Sequence, residues 1–295
     1  MSGFSADWLR TREPFDLAAR DGQLAARFAA GIATRLAASR RPAHIIDLAA
    51  GAGANFRALA PVLAQDQAWL LVDHDPRLLA AQHAEIATWA RAHGWPVTAA
   101  GDALHIDTGS ACWQVRGMQL DLATGLESLD LHAADGVVTT AFLDLVSAAW
   151  LERLSRLLAR NPRPLLATLS VDGRRQWLPA HPADAEALAA FQHHQGGDKG
   201  FGSALGTAAP AALATLLRAA GFTLSLAPST WHIGPGHPDM LQQLLTEAAS
   251  VARESQASAS GTLADWLACR SAQLAAGQLS LEIGHQDLLA LPPGH

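Results

Sequence analysis

The chain has 295 residues, 49% of them hydrophobic and 16% charged, with a formal net charge of -6. That length holds a sizeable core in one large domain or two small ones, and the negative balance offers no global positive field to gather a phosphate backbone, so a nucleic acid partner is disfavoured. No apolar run reaches the roughly eighteen residues needed to cross a bilayer, the first residues (Asp7, Arg10, Arg12, Glu13) do not read as a signal peptide, and Cys112 and Cys269 form no metal or redox motif, so a soluble cytoplasmic protein with no membrane partner is expected.

In chain order, residues 14 to 38 read as one helix with Pro14 in its first turn and Leu24, Phe28, Ile32 and Leu36 spaced by four. A strand at 43–48 then runs through Asp47 into the Gly/Ala loop Ala49-Ala50-Gly51-Ala52-Gly53, and a helix near 56–65 follows. A second strand, 68–73, ends in Asp73-His74-Asp75 before a helix at 76–93 that Pro76 opens and Gly94 closes. Small residues let a backbone approach a ligand closely, and a carboxylate ending the neighbouring strand can accept hydrogen bonds from ribose hydroxyls. A dinucleotide fingerprint needs a third small residue where this chain has Phe56. Asp47 beside the loop would also repel a pyrophosphate. The pattern suits a ligand with a ribose, no phosphate and a cationic end.

These residues resemble the first two motifs of class I S-adenosylmethionine-dependent methyltransferases, with one departure: Ala49 replaces the first of three glycines, which is tolerated if its φ is negative. The resemblance implies a Rossmann-like α/β fold: a seven-stranded, mostly parallel sheet with an antiparallel last strand and helices on both faces. An N-terminal helical cap would span 1–42 and the methyltransferase domain 43–295, with a lid insertion at about 180–208. It further implies S-adenosyl-L-methionine as cofactor, with Asp47, Ala49, Gly51 and Gly53 near its methionine portion, Asp73 on the ribose, His74 near the adenine, and Thr140 lining the site. Asp75 is read as the cap of the next helix. Arg12 or Arg20 would either reach the methionine carboxylate or be solvated helix charges.

A third strand near 95–100 ends at Gly101-Asp102, where Asp102 is either the acid facing the adenine amino group or a turn residue. Residues 103–133 read as an irregular crossover with one strand or none. A fourth strand, 136–140, leads to Asp144 and a helix at about 147–160; Asp144 lies near the transferred methyl by strand order, or caps the helix. A fifth strand, 164–171, meets Asp172-Gly173, a hairpin signal. After a short helix at 183–193, the glycine-rich run from His193 and His194 through Lys199 and Phe201 to Gly206 reads as a mobile flap over the site, or as a surface loop. Lys199, the one lysine, and Phe201 are its candidate substrate contacts. The paired histidines lack a second ligand cluster, so no metal is expected. A helix at 209–220, a strand around 222–232, helices near 238–254 and 262–275, and an edge strand at 285–291 complete the chain. Trp177 and Trp231 either stack on a substrate or fill core space.

Methyl transfer from a sulfonium needs alignment, exclusion of water and at most one proton acceptor. Asp144, His193 and His194, and less so His181, are the candidates. The reading is O- or N-methylation of a small molecule. The alternatives are a methyltransferase for protein or RNA, or a protein that binds S-adenosylmethionine without catalysis.

Overall fold

The computed structural model describes residues 5–39, 41–254 and 261–294, apart from the side chains of His194, Gln195 and residues 252–254. The amino-terminal segment is two helices, not one: α1 (Ala6–Ala19) carries Pro14 inside it, and α2 (Gly22–Leu36) starts afresh. Asp21 is the reason. Its carboxylate caps α2 by accepting the Leu24 amide at 2.7 Å, which leaves Arg20 extended between the helices. The stripe Leu24, Phe28, Ile32 and Leu36 is buried, as its spacing requires.

Ten strands form one sheet. They are β1 (Ala43–Leu48), β2 (Gln67–Asp73), β3 (Val97–Ala100), β4 (Ala103–Asp107), β5 (Cys112–Gln119), β6 (Gly136–Thr140), β7 (Leu165–Leu178), β8 (Thr223–Pro228), β9 (Trp231–Ile233) and β10 (Ser280–Leu291). Their order is β3-β4-β5-β2-β1-β6-β7-β10-β8, with β9 also on β10. From β5 to β7 neighbours are parallel, whereas β10 is antiparallel to both β7 and β8. Helices α3 (Ala54–Leu63), α4 (Pro76–Ala92), α5 (Leu122–Gly125), α6 (Ala148–Arg160), α7 (Asp184–Gln195), α8 (Ala209–Ala219), α9 (Pro238–Glu254) and α10 (Gly261–Ala275) complete the chain. The Rossmann-like, mostly parallel sheet with an antiparallel last strand is thus present, enlarged by the β3–β4 hairpin and β9.

Four further expectations need correction. The strand beside β2 is β5, from the segment read as irregular; the strand expected there, β3, is the outer arm of an edge hairpin. The last strand is not at the edge, because β8 pairs with its far side. The strand expected around 222–232 is two, β8 and β9, both on β10. Asp172-Gly173 makes no hairpin: Gly173 takes φ +92° within β7, which stays paired to β10 as far as Leu178. Asp172 there accepts the Arg174 amide at 2.9 Å, and the irregularity is a bulge.

Two apolar layers cover the sheet. One holds Leu151, Leu154, Leu158, Leu213 and Leu217 from α6 and α8; the other holds Phe28, Ile32, Phe56, Leu59 and Ile86 from α2, α3 and α4. A third cluster forms where β7 and β10 run on past β6. Thr140 pairs with Thr168, yet β7 continues ten residues to Leu178, roughly 30 Å at strand spacing. On this overhang Trp177, Trp231, Leu241, Leu244, Trp266 and Leu281 pack together, and the fully buried Arg270 donates to Asp184. No described helix is long and apolar enough to cross a membrane.

The contact between α2 and β6 is closest at Gly136, where an added Cβ would stand 2.7 Å from Ile32 Cδ1 and Phe28 Cζ. Gly136→Ala should therefore cost about 2 kcal/mol of stability by overpacking, read as a lowered urea midpoint with unchanged slope.

Candidate active site

The Gly/Ala loop lies at the carboxyl end of β1 and is held by side chains from three elements. Asp73, at the end of β2, accepts the Gly51 amide at 2.8 Å through one oxygen and the Asp75 amide at 2.9 Å through the other. Gln82 of α4 donates to the Gly51 carbonyl at 2.7 Å. Arg57 of α3 donates to the Ala52 carbonyl at 2.8 Å and makes a two-pronged pair with Glu13 of α1, both bonds 2.6 Å. Three loop residues have left-handed backbones: Ala49 (φ +55°), Gly51 (+54°) and Gly53 (+83°). The negative φ assumed for Ala49 is thus not what the loop adopts, and the extra methyl carries the strain of that region. Gly53 caps α3 with no side chain, so the first amides of that helix point toward the loop. Behind it Phe56 is fully buried, edge-on to Trp69, Trp89 and Trp113 at 5.3, 5.8 and 6.0 Å. The residue that breaks the dinucleotide pattern is a core residue.

Asp47 is wholly buried. Asn55 of α3 donates to its Oδ1 at 3.0 Å, while Oδ2 has no hydrogen-bond partner. Burial pushes its carboxyl up to about 7, against the pull of Asn55 and Arg20. Arg20 descends from the α1–α2 junction to the same spot. It donates to Asn55 Oδ1 (2.9 Å), Thr168 (2.7 Å) and Thr140 (3.2 Å), and its buried Nε has no partner. Helix α1 covers the loop, with Leu9 3.1 Å from where a Gly51 Cβ would be. Arg12 is occupied differently: it pairs with Asp16 at 3.0 and 3.1 Å and lies over the Trp231 ring, 4.9 Å from its centroid.

Asp144 follows β6 in a single 3₁₀ turn. It is not the cap of α6; Ser147 is, accepting the Trp150 amide at 3.3 Å. One Asp144 oxygen is enclosed without a partner, and burial pushes this carboxyl up to about 6. On the overhang His285 is buried against Trp231, ring centroids 5.0 Å apart, and burial lowers it to about 4. The Arg12 guanidinium acts on Asp144 and His285 alike, lowering both.

The other expected residues are placed as follows. Asp75 caps α4 and is held down to about 2 by the hydrogen bonds of Arg77. His74 is largely exposed beside Asp73. Asp102 sits in the turn between β3 and β4, exposed and 3.5 Å from Arg116, whereas the strand beside β2 is β5, which ends at Gln119. His193 is exposed on α7, His194 has a side chain outside the described residues, and His181 accepts the Ala183 amide at 3.2 Å near the start of α7. The flap is folded down. Phe201 packs edge-on to Phe142 (5.3 Å) and Trp150 (5.9 Å), Leu205 donates to the Val146 carbonyl, and Asp198 accepts the amides of Gly200 and Gly202. Lys199 is half-buried there. Trp177 and Trp231 are core residues. Among the described residues no group of three or more His, Cys, Asp or Glu could hold a metal. Asn55, Gln82, Thr168, His285 and Asp287 escaped sequence reading; only Asn55, directly after the glycine loop, carried a signal.

No family model and no curated relative matches the chain. Solved structures do. The cyclopropane synthase MmaA2 of Mycobacterium tuberculosis superposes with a TM-score of 0.42 at 13% identity, covering 88% of this chain and 83% of that one. A methyltransferase of Thiobacillus denitrificans bound to S-adenosylhomocysteine gives 0.41 at 14%, covering 97% and 98%. Phosphoethanolamine N-methyltransferase 2 of Haemonchus contortus gives 0.42 at 11%; this chain is 99% covered and spans 58% of that longer one.

The Asp47 carboxyl is raised on folding because it is buried. A folded value above the unfolded one favours the protein below about pH 4, and that contribution is lost as pH rises through about 7. Asp47→Asn should leave stability unchanged at pH 4 and raise it by on the order of 2 kcal/mol at pH 8, measured by urea denaturation at both values.

Proposed function

We propose that the protein transfers a methyl group from S-adenosylmethionine to a small-molecule acceptor at oxygen or nitrogen. The observation that carries this reading is the loop between β1 and α3: a buried Asp47 with an unpartnered oxygen stands on one side, and Asp73 ends the adjacent strand on the other. The donor set tests the fit. A phosphate there would meet the Asp47 carboxylate, whereas a ligand with a cationic end would complete it. Asp73 keeps acceptor capacity beyond its two amide bonds, since a carboxylate offers about four lone-pair sites, which suits ribose hydroxyls.

When bound, S-adenosylmethionine supplies a methyl carbon already activated by its sulfonium. The chain's own share is placement and dryness. Asp73 would hold the ribose and Asp47 the cationic amino-acid end. Helix α1, pinned by Glu13 to Arg57 and packed through Leu9 on Gly51, closes the loop from water. Asp144, with its enclosed oxygen and a carboxyl near 6, is the best-placed proton acceptor: it is mostly ionised at neutral pH yet basic enough to take a proton. His285 is neutral at that pH and a weaker base. The folded flap, docked through Phe201 on Phe142, covers the segment that carries Asp144, which favours an enclosed small acceptor over a docked macromolecule.

Titration calorimetry with S-adenosylmethionine and S-adenosylhomocysteine should show saturable one-to-one binding, and NADH should show none; the reverse would overturn the reading. Asp73→Ala should weaken nucleoside binding at least tenfold, about 1.4 kcal/mol or more. Asp75→Ala should instead lower stability by about 1 kcal/mol through the lost cap, leaving affinity within twofold.

A further inference from the structure

The overhang encloses a cavity that none of the roles above uses. Its walls come from four elements: Arg175 and Trp177 of β7, Leu188 and Phe191 of α7, Ala248 of α9, and Trp266 of α10. Arg175 lies seven residues beyond Thr168, the last residue of β7 paired with β6, so about 20 Å of strand separates it from the level at which β6 ends. The clear space is about 20 Å³. That holds a group the size of a carboxylate and is too little for a ring.

Arg175 is the cation of this wall, and it is poorly paired. Its side chain is only 8% exposed. Nη2 reaches the Leu244 carbonyl at 3.5 Å and the Glu247 carboxylate at 3.8 Å, the first at the limit of a hydrogen bond and the second beyond it. Glu247 is itself half exposed, so water weakens the attraction that remains. Among the described residues Nε and Nη1 donate to nothing. The Phe191 and Trp177 rings lie 4.2 and 5.7 Å from the guanidinium carbon; they attract the cation without accepting its in-plane hydrogen bonds. Burial lowers the Arg175 pKa from its ordinary value against the pull of Glu247, as for a cation short of compensation. Arg270, buried more deeply still, is treated differently: it donates to Asp184, to Gln273 and to the Pro179 carbonyl. Asp184, the acid of the cavity wall, is thereby occupied, and it also accepts Trp266 Nε1 at 2.7 Å and the His181 amide at 2.8 Å. The cavity's acid is used up, while its cation has donors to spare.

These facts narrow what the space can take. A buried water needs two to four polar partners, and beyond Arg175 and the occupied Asp184 the walls are almost wholly apolar. A cation would meet Arg175. A carboxylate has the right size, matches the edge of a guanidinium with two coplanar oxygens, and supplies the missing charge. We infer that this cavity is a binding site for the carboxylate head of a small organic acid, with Arg175 as its anchor. The site stands apart from the β1 loop and does not depend on what that loop binds. It bears on the flap, because α7, which gives Phe191 to the wall, leads through Gln195 into it, and Gln192 ties the same helix to β7 by donating to the Gly173 carbonyl at 3.3 Å.

The test titrates the full-length protein with phenylacetate, whose methylene lets the head enter while the ring stays outside, and with uncharged phenylacetamide, both followed by ligand-detected NMR. Phenylacetate should bind saturably and at least tenfold more tightly than phenylacetamide. Arg175→Gln should cut phenylacetate affinity at least tenfold. Ala190→Leu, which fills the cavity and leaves Arg175 in place, should do the same. Saturating phenylacetate should raise the urea midpoint of the parent protein and leave that of Arg175→Gln unchanged. Equal affinity for acid and amide would overturn the carboxylate assignment, as would the lack of saturable phenylacetate binding by the parent protein. Undiminished binding in Arg175→Gln would place the carboxylate at another cation and overturn the site. Should Arg175→Gln fail to fold, Ala190→Leu decides, since phenylacetate affinity retained there overturns the site.

Discussion

The carboxyl end of the sheet is organised around one carboxylate kept out of water. Asp47 lies in the central strand β1, between β2 and β6, where an ionised and unpaired group would be costly. The fold supplies partial compensation: an amide from Asn55 and a guanidinium from Arg20, neither of them a direct ion pair. Asn55 reaches Asp47 because α3 starts immediately after Gly53, and this requires the left-handed turn at 51 and 53. Arg20 reaches the same point because Asp21 interrupts what would otherwise be one long helix. The loop conformation and the helix break therefore serve one local electrostatic requirement.

A second consequence follows from strand length. β6 stops at Thr140, whereas β7 and β10 remain paired well beyond it and support α7, α9 and α10. The overhang walls one side of the carboxyl end. Trp231 of β9 gives α1 its footing by donating to Asp16 at 3.1 Å, and Arg12 lies over the same ring. Helix α1 is thereby held at two places, to the overhang through Asp16 and to α3 through Glu13. A loop that would otherwise be an open crevice at the strand ends is roofed by the amino-terminal residues.

Much of this was readable where a local signal decides the outcome. The β1 loop, Asp75 as a cap, the buried stripe on α2 and the strand at 136–140 each depend on a few adjacent residues. The misreadings concern pairing partners. Residues 97–100 do form a strand, but nothing local says that it folds onto 103–107 as an edge hairpin and not beside β2. Asp172-Gly173 carries a hairpin signal that the long pairing with β10 overrides. Asp287 sits in an apolar run and resembles any strand residue, since its bonds to Leu169 and Asp21 join segments over a hundred residues apart. Arg12 and Arg20 were indistinguishable in sequence. What separates them is that Asp16, one turn after Arg12, neutralises the first, while the break between α1 and α2 extends the second toward Asn55.

The near exclusion of lysine bears on how the site is built. Of the 21 basic residues only Lys199 is not an arginine. Arg20 donates in three directions at once, to Asn55, Thr168 and Thr140, and Arg57 spans a carboxylate and the Ala52 carbonyl. A guanidinium does this with a rigid, planar set of five donors, whereas an ammonium on a flexible stem would have to choose among the same acceptors. The bias toward arginine runs through the whole chain and so says nothing about any one position. At Arg20 and Arg57, however, the geometry itself demands the guanidinium. A lysine at either position would keep the charge but release part of what it ties together: Asn55 from the strand ends at Arg20, or the loop from α1 at Arg57.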